Sequence, residues 1–443
     1  MRIVSRRLIF RQNFLPRLAA LVGAVALGLT AIAFAKAGEA AQGLQAEWYR
    51  AHPWATALLT PAVFVLVVGA TRRWFPEARG SGIPQVMAAE HNPTEAAGGP
   101  LLSLRTATAK FAATIVMLLG GAAVGREGPT VQISAALMVA VHRWLKVPVN
   151  AGVIIAGGAA GVAAAFNTPL AGVAFAIEEL AAAFEQKVAV MVMATVMVAG
   201  LVSLGIAGDY VYFGAMTTSL TLHEIVVFAP LIGVLGGLAG GTFARALIGL
   251  GASQLRPFVL ARAHPLGTAL LCGVIVAGAG LASDGASWGT GYATTRELLA
   301  GGQTSLAFGP AKFVAALATA LSGAPGGIFA PSLSVGAGLG QLVGFVTEGR
   351  ASGALVLLGV AAYFTGVVRA PLTAVIIVME MTAERSMIVP LFIAALVADW
   401  VSSLVCPGKL YHALSQGFRP GGSAMADPVR QQARGGELLD PAA

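Results

Sequence analysis

The chain repeats itself at an offset of 202 residues. Ala109-Lys110-Phe111 returns as Ala311-Lys312-Phe313, and Gly121-Ala122 as Gly323-Ala324. In the same frame Gly125 meets Gly327, Pro129 meets Pro331, Pro169-Leu170 meets Pro371-Leu372, and Glu178 meets Glu380. Ungapped agreement spread over about seventy residues exceeds what composition alone produces. The repeat restricts the fold to two halves of similar design, each offering a Gly-rich turn that feeds a helix N-terminus. In repeat-built transporters such ends commonly converge near the bilayer midplane. The offset leaves open whether the halves are parallel or inverted.

Around these landmarks the sequence is apolar. Runs at 18–35 and 55–71 suit full membrane spans, and fuller runs return near 188–207, 225–250, 266–283 and 387–405. Segments at about 104–122, 130–141, 151–165 and 168–181, and again at 307–322, 329–346, 353–367 and 370–382, are short and broken by Gly or Pro. Segments too short to cross alone suit re-entrant or broken helices that line a protein-enclosed cavity. Charged residues are 11% of the 443 and hydrophobic ones 57%, against about 25% charged in soluble domains. The chain is therefore read as an all-α polytopic membrane protein.

Its boundaries follow from the same pattern: a basic arm at 1–17, a membrane domain at 18–415, and a polar tail at 416–443 expected to be disordered. Within the membrane domain the halves fall at about 55–208 and 225–405, with a last helix at about 406–415. The net charge of +8 is unevenly placed: Arg2, Arg6, Arg7, Arg11 and Arg17 precede the first run, and Arg419, Arg430 and Arg434 follow the last. The positive-inside rule then places both termini in the cytoplasm. This basicity orients the chain in a bilayer, and no nucleic-acid partner is expected. Leu18 to Ala35 follows arginines and ends in the cleavage-like Ala33-Phe34-Ala35. The run exceeds the ~7–15 residues of a signal core and more spans follow, so it is read as a retained first helix. Cys272 and Cys406 sit in apolar surroundings as inert core residues, with no disulfide framework, metal spacing or cofactor.

The chemistry concentrates between Gly120 and Gln132, reading GGAAVGREGPTVQ. An ionisable residue at membrane depth is a functional-site hypothesis by default, and Glu127 is one. Glycines let backbone N–H groups approach a ligand, and Pro129 suits the first turn of a helix. A helix N-terminus attracts an anion through unpaired donors and a partial positive charge. Glu127 thus puts a negative charge where a free anion would also be stable, which makes it a gate released by protonation, or simply a helix cap. A second turn, Gly80-Ser81-Gly82-Ile83-Pro84, has a weaker counterpart in Gly289-Thr290-Gly291. The Ser81 hydroxyl can donate to an anion without bringing a countercharge; the alternative is an ordinary turn.

Taken together these stretches resemble the ClC family of chloride channels and chloride/proton antiporters over roughly residues 60 to 415. GSGIP at 80–84, GREGP at 125–129, GGIFAP at 326–331 and Tyr411 occur in the family's order, with AAFNTPLAG at 164–172 and RAPLTAVIIVMEMT at 369–382 also similar. The resemblance implies a ClC-type fold of two inverted repeats, and a homodimer with a separate pore in each subunit. It implies chloride held by the Ser81 and Tyr411 hydroxyls and the backbone N–H groups of Ile328 and Phe329. It makes Glu127 the outer gating and proton glutamate, and Glu179 the inner, cytoplasm-facing proton glutamate of the antiporter branch. The bland reading of Glu179 is a solvated helix end, and its neighbour Glu178 leaves the register to be checked. Gly80, Gly82, Gly125 and Gly128 shape the turns. Lys110 either adds positive potential near the pathway or is a snorkelling or paired lysine. Arg126 is expected to bond backbone rather than chloride.

With both glutamates present the expectation is H+/Cl- exchange, with chloride and protons as the transported ions. A bound chloride held by helix dipoles and neutral donors can leave again, and a carboxylate competing with it couples proton uptake to anion binding. Gln85 stands where the family often has an acid, which bears on the intracellular proton route. The chain lacks the paired cytoplasmic nucleotide-binding domains of many eukaryotic members, which points to a bacterial inner (plasma) membrane. A passive chloride channel is the nearest alternative, and a fluoride/proton antiporter a more distant one because that branch departs from the GSGIP serine. An intramembrane serine hydrolase built on Ser81 would need a base within hydrogen-bond reach. His91 and His142 lie by loops, so the chain is read as not an enzyme.

Overall fold

A computed structural model describes residues 2–180, 186–208, 211–216, 219–348 and 352–419. Of the tail expected at 416–443, all but 416–419 lies outside the described residues. In chain order the first half contains α1 (Arg2–Ala51), α2 (Pro53–Trp74), α3 (Ile83–His91), α4 (Pro93–Gly98), α5 (Leu104–Leu119), α6 (Glu127–Trp144), α7 (Ala151–Phe166), α8 (Pro169–Phe175) and α9 (Gln186–Ala207). The second contains α10 (Leu222–Ala252), α11 (Arg256–Ala263), α12 (Pro265–Ala282), α13 (Tyr292–Leu299), α14 (Phe308–Leu321), α15 (Phe329–Glu348), α16 (Gly353–Val368), α17 (Pro371–Thr382), α18 (Ile388–Val405) and α19 (Leu410–Ser415). Among the described residues the only β-pairing is one antiparallel bridge, Gly125 with Gly327.

Seven of these helices have an apolar stretch long enough to cross a bilayer, while α7, α14, α16 and α17 are apolar but shorter. Two of the short ones, α7 and α16, lie inside. Gly152–Phe166 of α7 and Ala354–Val368 of α16 are buried on every face, as a helix apolar all round must be. Small residues let backbones touch there. A Cβ on Gly236 would lie 2.7 Å from Ala362 Cβ, which puts α10 in backbone contact with α16.

Several boundaries differ from the sequence reading: the last helix starts at Leu410 rather than near 406, and Gln416–Phe418 of the expected tail forms a short helical turn. The arm at 1–17 and the run at 18–35 form one helix, α1, which continues to Ala51 and has Pro16 inside it. Residues 36–51 are rich in Ala, Glu and Gln, good helix formers that outweigh Gly38 and Gly43, and no proline comes before Pro53. At about 75 Å, α1 is far longer than a bilayer's ~30 Å core. The run 168–181 is not one helix either. α8 ends at Phe175 and opens into a π-type turn over Ala176–Leu180, of the kind that often marks a functional position.

The repeat is visible in matching elements. α5, α6, α7, α8 and α9 return as α14, α15, α16, α17 and α18. Even the exceptions recur: Gly121 and Gly323 have φ of 77° and 74°, and Asn167 and Arg369, which end α7 and α16, have φ of 56° and 62°. The halves meet reciprocally. Glu178, just past α8, accepts from the backbone N–H groups of Leu372 and Thr373 at the start of α17, at 3.1 and 2.7 Å. Glu380, near the end of α17, accepts from Leu170 and Ala171 at the start of α8, at 3.2 and 2.8 Å. Each helix start thus lies against the other's end, so α8 and α17 run antiparallel. A two-fold axis relating antiparallel neighbours is perpendicular to them. The repeats are inverted.

Candidate functional site

Three glycine turns meet where the halves join. Gly125 N donates to Gly327 O and Gly327 N to Gly125 O, both at 2.7 Å, and Gly326 N donates to Gly80 O at 3.1 Å. The turns press together closely enough to exclude side chains: a Cβ on Gly82 would lie 2.6 Å from Gly128 O, and one on Gly327 3.0 Å from Gly128 N. Gly80 and Gly82 also take φ of 62° and 111°, where a Cβ would be strained. This junction sets the starts of α3, α6 and α15 side by side, and with them three sets of unpaired backbone donors.

Ser81, Ile328 and Tyr411 line one cavity of about 510 Å³ at this junction, with Val124 and Leu414 among its apolar walls. Arg72, Arg79 and Arg262 line it too, a set of positive charges that raises local anion concentration. Ser81 Oγ and Tyr411 Oη are both buried and lie near each other, with no other side-chain or backbone partner at full hydrogen-bond geometry. Phe329, at the start of α15, packs its ring 6.0 Å from that of Tyr411 and is fully buried. Two hydroxyls and a helix N-terminus facing one space are uncharged donors of the kind that can hold an anion.

Glu127 is the first residue of α6 and only 1% exposed. Its Oε1 accepts from the Tyr292 hydroxyl at 2.6 Å. Its Oε2 lies over Gly125, beside the start of α15, where a Cβ on Gly125 would collide with Oε2 and sit 3.1 Å from Ala330 N. Arg126 turns the other way. Its guanidinium donates to Ala35 O, to Glu39 Oε1 at 3.1 Å and to Tyr212 Oη at 2.9 Å, tying α1 to the turn.

Lys110 is fully buried and its Nζ donates to Arg79 O at 3.2 Å and Gly80 O at 2.7 Å. It fastens the Ser81 turn from behind. Gln85 reinforces it, with Nε2 on Glu77 O and Arg79 O at 3.2 and 2.6 Å. A carboxylate there could accept but not donate, so the amide suits these carbonyls where an acid would not. Lys312 does for Gly289-Thr290-Gly291 what Lys110 does for Gly80-Ser81-Gly82, donating to Ser287 O and Gly289 O at 3.0 and 2.7 Å.

Glu179 lies apart from the glycine junction. It is 4% exposed, in the π-type turn, and its Oε1 accepts from Lys409 Nζ at 3.3 Å. The wider turn separates the two glutamates: Glu178 caps α17 while Glu179 turns inward to Lys409. Lys409 precedes Tyr411 by two residues at the start of α19, so one short segment reaches both Glu179 and the cavity. The histidines weighed as bases are engaged within their own helices, His91 Nδ1 with Met87 O and His142 Nδ1 with Met138 O.

Sequence reasoning missed Tyr292, Tyr212, Lys409 and the role of Lys312. The signal for Lys312 was present in the repeat, and Tyr292 directly follows the Gly289-Thr290-Gly291 turn. Tyr212 and Lys409 carry no local signal, because their partners are 86 and 230 residues away in sequence.

Inverted repeats, broken helices and a buried, charged junction of helix starts define a membrane transport protein of the helical, repeat-built class. Residues 63–403 match the family model described as voltage gated chloride channel, and the chain belongs to that family. It is 31% identical over 366 residues to the H(+)/Cl(-) exchange transporter ClcA of Yersinia pestis bv. Antiqua (strain Angola), covering 77% of this chain and 73% of that one. Its fold is similar to that of a slow cyanobacterial Cl-/H+ antiporter, with TM-score 0.75 and 24% identity over 90% of this chain and 96% of the other. It is similar also to a CLC-type fluoride/proton antiporter, with TM-score 0.73 and 21% identity over 90% and 96% of the two chains.

Proposed function

We propose that this chain exchanges chloride for protons across a bacterial inner membrane, as a homodimer with a pathway in each subunit. Chloride is held by the Ser81 and Tyr411 hydroxyls and by the backbone N–H groups of Ile328 and Phe329. Gly80, Gly82, Gly125 and Gly128 keep those donors close, and Lys110 holds the Ser81 turn in shape.

The carrying observation is the place of Glu127. Its buried carboxylate stands at the helix starts that an anion would use, next to Gly125 and the start of α15. Ionised, it competes with chloride for the same donors; protonated, it gives up that claim. The anion and the proton then share one free-energy coupling, as exchange requires. Glu179 supplies the proton from the other side, beside Lys409 and within the reach of α19. The similarity to a transporter named for H(+)/Cl(-) exchange supports the same reading.

The test is the reversal potential of the purified protein in liposomes under a chloride gradient at varied pH. A potential that moves with the proton gradient supports exchange, and Glu179→Val should remove that movement while chloride still flows. A potential fixed at the chloride equilibrium value at every pH makes the protein a channel and reduces Glu179 to a charged helix end. Cross-linking in lipid tests the dimer. Reporter fusions at each end test the cytoplasmic termini that Arg2, Arg17 and Arg419 imply.

A further inference from the structure

The second-half counterpart of the Ser81 turn does not open onto the cavity. Gly289-Thr290-Gly291 leads instead into Tyr292, whose hydroxyl reaches Glu127 Oε1 at 2.6 Å. Both residues are buried, at 7% and 1% exposure. An ionised carboxylate can only accept, so the tyrosine is the donor. A separation of 2.6 Å falls in the range of charge-assisted O–H···O⁻ bonds, which are roughly twice as strong as neutral ones.

The ring is held rigidly. It packs edge-on against Tyr212 at 4.9 Å and against Phe213 at 5.6 Å. Arg296, one turn along α13, donates to Tyr212 O at 2.6 Å, and Phe213 N donates to Met381 O at 2.8 Å. From below, Lys312 and Ser334 fasten the preceding turn: Ser334 Oγ donates to Thr290 O at 3.0 Å. A donor so fixed has one position to offer, and Glu127 is in it.

We propose that Tyr292 is a latch for the outer gate: its hydroxyl holds the ionised Glu127 carboxylate at the start of α6 and lets it go on protonation. This rests on reading Glu127 as the gate. Protonation removes the charge that made the bond strong, so one proton both withdraws the anion's competitor and loosens its tether. The other charged or titratable groups near Glu127 are Arg126 beside it, Tyr212 next to Tyr292, and Tyr411 on α19; Glu39 pairs with Arg126. Arginine and tyrosine ordinarily keep one charge state between pH 5 and 8. The pH response of the gate is therefore carried by Glu127, with Tyr292 setting its midpoint.

The sign follows. The latch favours the charged, closed form, so removing it makes protonation easier and the open form persists to higher pH. In liposomes, Tyr292→Phe keeps the ring contacts and should raise the pH of half-maximal chloride flux by about one unit, a tenfold change in proton affinity. Glu127→Asp draws the carboxylate back from a correctly placed Tyr292 and should shift the profile the same way. In a Glu127→Gln background, which removes the pH response, Tyr292→Phe should add nothing. A wild-type midpoint in both Tyr292→Phe and Glu127→Asp overturns the latch while leaving the gate intact. An added effect of Tyr292→Phe in the Glu127→Gln background overturns it as well, because the tyrosine would then act elsewhere. Retention of the wild-type pH response and proton coupling in Glu127→Gln overturns the gate itself.

Discussion

Gly125 and Gly327 occupy the same place in the two repeats and exchange both backbone hydrogen bonds, at 2.7 Å each. A contact in which residue i meets residue j and j meets i in the same way is the mark of a two-fold axis. The axis passes through this bridge. It places the starts of α6 and α15 on either side of one point.

The reciprocal caps made by Glu178 and Glu380 should contribute alike. Each carboxylate satisfies two backbone N–H groups at a helix start, and loss of such a cap costs about 0.5–2 kcal/mol. Glu178→Gln and Glu380→Gln should each lower the melting temperature in detergent by a similar amount. A loss confined to one of them would mean that the two contacts are unequal in solution.

Lys110→Met should weaken chloride binding without touching the ion. The variant takes one donor from each of Arg79 O and Gly80 O, which keep Gln85 Nε2 and Gly326 N respectively, at about 0.5–1.5 kcal/mol for each hydrogen bond removed, and frees the turn that aims Ser81. Calorimetric titration with chloride should show affinity reduced about tenfold or more. Lys312→Met frees the Tyr292 turn instead, so its effect should appear in the pH profile of flux and not in chloride affinity.

Lys409→Gln removes the countercharge of a buried carboxylate but keeps a donor. The lysine is 38% exposed along its side chain, so solvent screening holds the pair to about 1 kcal/mol. The protein should fold normally, with the proton-to-chloride flux ratio falling several-fold at constant chloride flux. Lys409→Arg should keep the wild-type ratio. An unchanged ratio in Lys409→Gln would separate this pair from proton movement.

Packing between α10 and α16 should be intolerant of size. Gly240 lies against the backbone of Gly366 and Val367, the latter with N 2.6 Å from where a Cβ would stand, whereas a Cβ on Gly278 of α12 meets open space. Gly240→Ala should destabilise by about 1–3 kcal/mol through overpacking. Gly278→Ala should be neutral or stabilise by up to about 1 kcal/mol through helix propensity. Thermal melts in one detergent compare them directly.

Much of this molecule could be read from the chain. Few charges and recurrent apolar runs dictate a helical membrane protein, because in lipid every backbone polar group must be satisfied within the segment. The offset of 202 residues revealed two halves, and Ser81 and Glu127 stood out as a hydroxyl and an acid in Gly-rich turns of an apolar chain, whereas Phe329 and Tyr411 entered through the resemblance to the ClC family. The halves and the first two residues rest on local properties, carried by composition and spacing. What tertiary structure alone decided depends on which residues face each other across the axis. The inversion of the halves rests on Glu178 and Glu380 capping each other's helix starts. The split between Glu178 and Glu179 rests on one wide turn after α8. The partners of the two buried glutamates, Tyr292 for Glu127 and Lys409 for Glu179, lie 165 and 230 residues away in sequence. A hydrogen bond is decided by a few tenths of an ångström between side chains, and sequence spacing holds no such distance until the fold has closed it.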